Sequence, residues 1–222
     1  MQTGLKPGMS DSEKSKPYDQ RLAGFLIKPF KNTLLHPNHI TTITLLLGVA
    51  SALIFAVAIE MAWLAALLYM LAVFTDHMDG ELARITGKSS KFGHNYDYIV
   101  GGLNYMMLFI GIGIGLHAEY GEWALILGLV AGLSNPLILY LRMAMEVQHG
   151  FEAVEHPQFI SGFQDEDFIY LIGPITWFVG IIWFFVPYAL GNIGYLVWTI
   201  KERREWKKKE NTEEVIEEKI SD

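Results

Sequence analysis

The chain has 222 residues, no cysteine, 51% hydrophobic residues and a net charge of −7. Its mean hydropathy of +0.26 and several near-chargeless stretches of about 20 residues exclude a disordered chain or a disulfide-stapled domain, and argue against a soluble globule. Without cysteine there is no thiol nucleophile, Cys-ligated zinc or iron–sulfur cluster, and no basic domain remains for nucleic acid.

The chain divides into four parts. Residues 1–17 are polar and read as a disordered tail. Residues 18–36 carry Leu22, Phe25, Leu26, Phe30 and Leu34 at helical spacing, with Arg21, Lys28 and Lys31 between them. That pattern predicts an amphipathic helix lying in the headgroup region. Residues 37–206 read as a six-span membrane domain, and residues 207–222 as a charged cytoplasmic tail. The predicted fold is therefore an all-α integral membrane protein, six transmembrane helices preceded by an interfacial helix.

Pro37 and Asn38 mark the start of the first span, about Ile40 to Ile59. The second runs from about Ala62 into the Asp76 region, the third from Tyr96 to Leu116, the fourth from Trp123 to Leu141. A polar loop covers Glu146 to Asp167. The apolar stretch Phe168 to Ile200 is long for one span and short for two; two spans with a turn near Trp183 to Pro187 are expected, a single tilted helix being the alternative. Lysines and arginines cluster before the first span, between the second and third, and after the last, so both termini are expected in the cytoplasm.

Three carboxylates stand out. Asp76 and Asp79 are three residues apart, a spacing that shares a helix face. Asp97 begins the next, antiparallel span, so all three can meet near the cytoplasmic surface. Clustered acids repel unless neutralised, and Mg²⁺ or Mn²⁺ takes oxygen ligands. Small residues at Gly80, Ala83 and Gly93, with Arg84 nearby, suit a nucleotide diphosphate carrying a metal. His77 falls off the shared face of the two acids and is not expected to be a ligand. Arg142 could bind an acceptor phosphate, but snorkelling to headgroups is the expectation. Tyr96, Tyr98, Tyr105, Trp177 and Trp183 read as packing or interface residues.

The run Asp76-x-x-Asp79-Gly80-x-x-Ala83-Arg84, eight residues, then Gly93-x-x-x-Asp97 resembles the signature of the CDP-alcohol phosphotransferases (CDP-alcohol phosphatidyltransferases). The segment His36-Pro37-Asn38-His39-Ile40-Thr41 resembles the beginning of that family's first span. The resemblance implies transfer of a phosphoalcohol group from a CDP-alcohol to an acceptor hydroxyl in phospholipid synthesis, with release of CMP. It implies that Asp76, Asp79 and Asp97 hold divalent metal, as one ion or a pair, and that Gly80, Ala83, Arg84 and Gly93 shape the CDP site. It also implies membrane lipids as surroundings and a homodimer.

One position departs. The signature's last aspartate, the family's general base, falls at Gly101. A positioned base is worth roughly 10²–10⁴-fold in rate. His94 and Glu166 are the substitute candidates, although Asp165-Glu166-Asp167 also suits a helix N-terminus. The competing reading is a catalytically impaired relative that binds nucleotide or lipid. A transporter would place charges deep within spans, and the acids cluster at one boundary instead.

Overall fold

The computed structural model describes residues 18–149 and 165–221. The N-terminal tail, and most of the loop predicted between the fourth and fifth spans, lie outside the described residues. Every regular element among the described residues is helical, without strands.

Helix α1 is Tyr18–Ile27, shorter than the expected 18–36. Pro29 has no N–H for a continuing α-helical ladder, and the chain tightens into a 3₁₀ turn over Lys28–Asn32. Ala23 and Ile27 are buried, while Phe25 and Leu26 are exposed. Helix α2 is Pro37–Val57, with Pro37 in the first turn, where no N–H is needed. His36 caps it: its Nδ1 accepts from the Asn38 N–H at 3.2 Å. Thr41, Thr44, Gly48, Ser51 and Phe55 form a buried stripe of helical period.

A 3₁₀ turn, Ile59–Met61, leads into α3, Ala62–Thr86. Helix α3 continues ten residues past Asp76, so the acids lie within it rather than at its end. It stops at Gly87, whose φ of 67° is left-handed. Helix α4, Lys91–Tyr120, starts five residues earlier than expected because Ser90 Oγ accepts the Gly93 N–H at 3.0 Å. That start places Gly93 and Asp97 in its first two turns. Helix α5 is Glu122–His149 and contains Pro136.

The C-terminal region departs most from expectation. A 3₁₀ segment, Asp165–Leu171, runs into a short helix α6, Ile172–Phe178. The break comes at Val179 and Gly180, and α7 then runs unbroken over Ile181–Ser221. The predicted turn at Trp183 to Pro187 is thus helical. Gly180 takes a φ of +118°, which an L side chain would resist, whereas Pro187 sits inside a helix at the loss of one hydrogen bond. The described residues hold five helices long and apolar enough to cross a membrane; the apolar segment Phe168–Phe178 is shorter than that.

The core joins α2, α3, α4, α5 and α7 through Phe55, Tyr69, Leu108, Phe109, Ile112, Ala131 and Phe185. Backbones touch where glycine permits. A Cβ at Gly111 or Gly115 of α4 would collide with the carbonyl oxygens of Ala52 and Phe55 in α2. These glycines serve packing inside the protomer. A smaller cluster, Ile27, Ile40 and Leu82, ties α1 to the site-bearing ends of α2 and α3.

Candidate metal and nucleotide site

Helices α3 and α4 bring Asp76, Asp79 and Asp97 together. One carboxylate oxygen from each lies within 4.8 Å of the others. At that separation two like charges repel by roughly 3–4 kcal/mol at an effective dielectric constant of about 20. Asp79 is buried, and the neutral Thr41 hydroxyl donates to its Oδ2 at 2.5 Å. One buried and two half-buried hard oxygen donors converging from two helices fit a divalent cation.

The start of α2 fixes this geometry. Beyond Thr41, Thr44 Oγ1 and Thr75 Oγ1 are 2.9 Å apart, linking α2 to α3. Thr42 Oγ1 and the Tyr96 hydroxyl are 3.0 Å apart, linking α2 to α4. Gly93 sits close to α2: a Cβ there would lie 3.1 Å from Asn38 Oδ1, a tight contact. The Pro-Asn-x-x-Thr segment thus acts as a clamp across both acid-bearing helices.

Beside the acids opens a cavity of about 1040 Å³. Asp76, His77, Asp97 and Gly101 contribute to its lining from α3 and α4; Trp183, Phe184, Tyr188, Tyr195 and Trp198 contribute aromatic surface from α7. Tyr98 and Tyr105 also line it, and Tyr105 packs against the core cluster as expected. Tyr96 is a hydrogen-bonding clamp residue, and Trp177 anchors α6 by donating from Nε1 to the Trp63 carbonyl at 3.0 Å. No heavy atom beyond its neighbours lies within 4 Å of where a Gly101 Cβ would stand. An aspartate side chain has room to begin there.

The other predicted residues separate. Gly80 and Ala83 follow the two α3 acids by one turn each, and Gly93 precedes Asp97 by one turn, so they flank the acids on the hairpin side. They and Arg84 are not among the cavity's lining residues. Arg84 is half exposed and pairs with the buried Glu81 at 2.8 Å. His94 is exposed, turned edge-on to Tyr98 with ring centres 4.9 Å apart, and is not a lining residue either. The side chain of Glu166 lies outside the described residues.

Two residues differ from expectation. Arg142 does not snorkel outward. It is buried, faces the cavity, pairs with Glu202 at 3.5 Å and sits over the rings of Tyr195 and Trp198 at 5.0 and 5.1 Å. His77, read as off-face, lines the cavity, and its Nδ1 lies 2.6 Å from Asp19 Oδ2 on α1. Burial alone would push the Asp19 carboxyl up, but the hydrogen bond and charge of His77, with the Gln20 N–H, hold it below the ordinary value of 3.8. A sequence signal for His77 existed, in the polar residue between two acids, but its partner is 58 positions away.

The pattern that defines the CDP-alcohol phosphatidyltransferase family matches residues 34–200, most of the chain. The protein belongs to that family, one of membrane transferases. Among individual relatives, the bifunctional IPC transferase and DIPP synthase of Thermococcus kodakarensis is 44% identical over 64 residues, 29% of this chain. The match spans only 14% of that relative's length. The fold is similar to that of Mycobacterium tuberculosis phosphatidylinositol phosphate synthase. With CDP-DAG bound, that structure gives a TM-score of 0.60 at 17% identity, covering 83% of this chain and 91% of the other. In complex with manganese and citrate, it gives 0.58 at 19% identity, covering 82% and 86%.

Proposed function

We propose that this protein transfers a phosphatidyl-type group from a CDP-alcohol to an acceptor hydroxyl, releasing CMP, in phospholipid synthesis. The observation that carries the reading is the convergence of Asp76, Asp79 and Asp97 to within 4.8 Å, inside a chain that belongs to this family. In this reading the three aspartates hold Mg²⁺ or Mn²⁺, one ion or two. Such ions neutralise a diphosphate and stabilise the departing phosphate. Gly80, Ala83 and Gly93 let the nucleotide approach the backbone, and Arg84 supplies positive charge at its edge. The aromatic wall of α7 excludes water from the acceptor side. The neighbour's manganese and CDP-DAG complexes support a divalent metal and a lipid-linked donor here.

The membrane domain covers 37–206 in this reading, between the interfacial segment 18–36 and the charged tail 207–222. Its fifth span is the short 3₁₀–α6 unit, which brings the span count to six and both termini to one side. The basic residues beside α2, between α3 and α4, and in α7 support a cytoplasmic location for that side and the site. The protein is expected to work as a homodimer.

The open space at Gly101 favours one second reading: a family member that binds nucleotide or lipid without turnover. CMP release from a panel of CDP-alcohols, with mixed acceptor alcohols and Mg²⁺ or Mn²⁺, separates the two. Release that disappears in Asp79→Ala supports the transferase. Release only after Gly101→Asp supports a silenced relative.

A further inference from the structure

We propose that the acceptor is an uncharged polyol rather than its phosphate ester, and that the Arg142–Glu202 pair enforces the choice. In the transferase reading, on which this rests, the cavity beside the acids receives the acceptor. Arg142 is the only lysine or arginine between Lys91 and Lys201. It lines the cavity, is buried, and has Glu202 as an ion-pair partner at 3.5 Å. The rings of Tyr195 and Trp198 lie 5.0 and 5.1 Å from its guanidinium carbon, so aromatic surface covers it as well. The other basic side chain on the lining, His77, faces Asp19 at 2.6 Å. Lys201, Arg203 and Arg204 continue α7 past Trp198, and none of them lines the cavity.

A phosphate ester would bring a second concentrated negative charge beside the donor's diphosphate. Burying it is costly unless a cation pairs with it. One or two divalent ions do not outweigh three carboxylates and a diphosphate, so the acid end has no positive charge to spare. To take the phosphate, Arg142 would have to leave Glu202, whose side chain is 13% exposed, and strand a buried carboxylate. An uncharged polyol meets none of these costs. Asn135 lines the cavity, and its Oδ1 is a buried acceptor with no hydrogen-bond partner among the described residues. A hydroxyl can donate to that oxygen, whereas a phosphate oxygen repels it. The C–H faces of a polyol pack on aromatic surface such as that of Tyr188 and Trp198. Glu202 does not itself line the cavity; it is a positioning residue that acts on specificity by keeping Arg142 occupied.

Binding and turnover, both measured on the full chain in detergent, separate this inference from the transferase reading. Binding is ligand-observed NMR of glycerol and myo-inositol against their phosphate monoesters, with Mg²⁺ and CDP present. Turnover is CMP release from a panel of CDP-alcohols with the same four acceptors. A free polyol should bind, and its kcat/KM should exceed that of its monoester by about tenfold or more. Asn135→Leu should raise the KM for the polyol at least about tenfold, with Mg²⁺-dependent CDP affinity unchanged. Glu202→Gln releases Arg142 and should move the kcat/KM ratio towards the monoester by at least about tenfold. The double variant Arg142→Gln with Glu202→Gln leaves no buried charge unpaired and should keep the parental preference. Polyol binding that is absent, or no tighter than monoester binding, overturns the inference with or without turnover. So does a Glu202→Gln variant that binds CDP normally and keeps the parental ratio. Polyol binding without CMP release overturns the transferase reading and keeps the ligand class of the cavity.

Discussion

The two walls of the cavity are built differently. On the α2–α3–α4 side, helices lie backbone against backbone through Gly111 and Gly115, and hydroxyls of Thr41, Thr42 and Thr44 stitch the acid-bearing ends together. On the α6–α7 side, Gly180 breaks the chain, and Gly191 and Gly194 face open space. There the polar contacts reach α3 and α5: Trp177 Nε1 donates to the Trp63 carbonyl, Asn192 Nδ2 to the Ala131 carbonyl at 2.9 Å, and Glu202 pairs with Arg142. The first wall holds charge to within a few ångströms, which demands rigid support; the second offers aromatic surface, which tolerates variation in what it covers. Chemistry and substrate shape are thus assigned to different parts of one chain.

That contrast can be broken at its strongest point first. Asp79→Ala removes a buried oxygen donor, and Mn²⁺-dependent CDP binding should weaken by roughly a hundredfold or more, beyond the 10–100-fold of a merely supporting residue. Equal CDP affinity in titration calorimetry would sink the metal site. Gly115→Leu should destabilise by about 1–3 kcal/mol or more, because the side chain meets the Phe55 carbonyl. Thermal unfolding in detergent measures it, and an unchanged midpoint would contradict the close α2–α4 packing.

Thr41→Val keeps shape but removes the hydroxyl on Asp79. Metal affinity should fall by about 10–100-fold, with little change in unfolding temperature. On the other wall, Gly191→Ala has room for its methyl and should stabilise α7 by up to about 1 kcal/mol. A large destabilisation there would mean the second wall is as tightly built as the first.

The smallest effect concerns α1. The folded-state pKa of Asp19 lies below its unfolded value, so its pairing contributes fully at neutral pH. That contribution is complete above the ordinary 3.8 and is lost as pH falls through the lowered value. A spin label on Phe25→Cys, unique because the chain has no cysteine, should keep one spectrum from neutral pH down to that range and change only on further acidification. The same spectral change in Asp19→Asn at neutral pH is expected, and its absence would show that α1 is not docked through this pair.

Much of the site was legible because it depends on short-range spacing. Asp76 and Asp79 share a helix face by periodicity, and Asp97 meets them because consecutive spans are antiparallel. The clamp was legible as a motif, but not as a mechanism: the bonds from Thr41 to Asp79 and from Thr42 to Tyr96 cross 38 and 54 positions. Arg142 was misjudged because a long cationic side chain near a membrane surface ordinarily reaches water. Here Tyr195, Trp198 and Glu202, all on α7, offer it a buried partner set instead.

By itself the sequence determined an all-helical chain with span-length apolar runs, the acid-bearing pair of helices and the absence of a carboxylate at position 101. These follow from local rules: periodicity, apolar length and residue identity. Only the tertiary structure decided where the C-terminal apolar stretch breaks, because Gly180 and Pro187 are both credible breakers until packing selects one. Only it decided that Asp19 meets His77, since that pair joins elements whose docking depends on a core cluster of Ile27, Ile40 and Leu82. Hydropathy measures how much surface a helix must hide, and says nothing of which distant partner hides it.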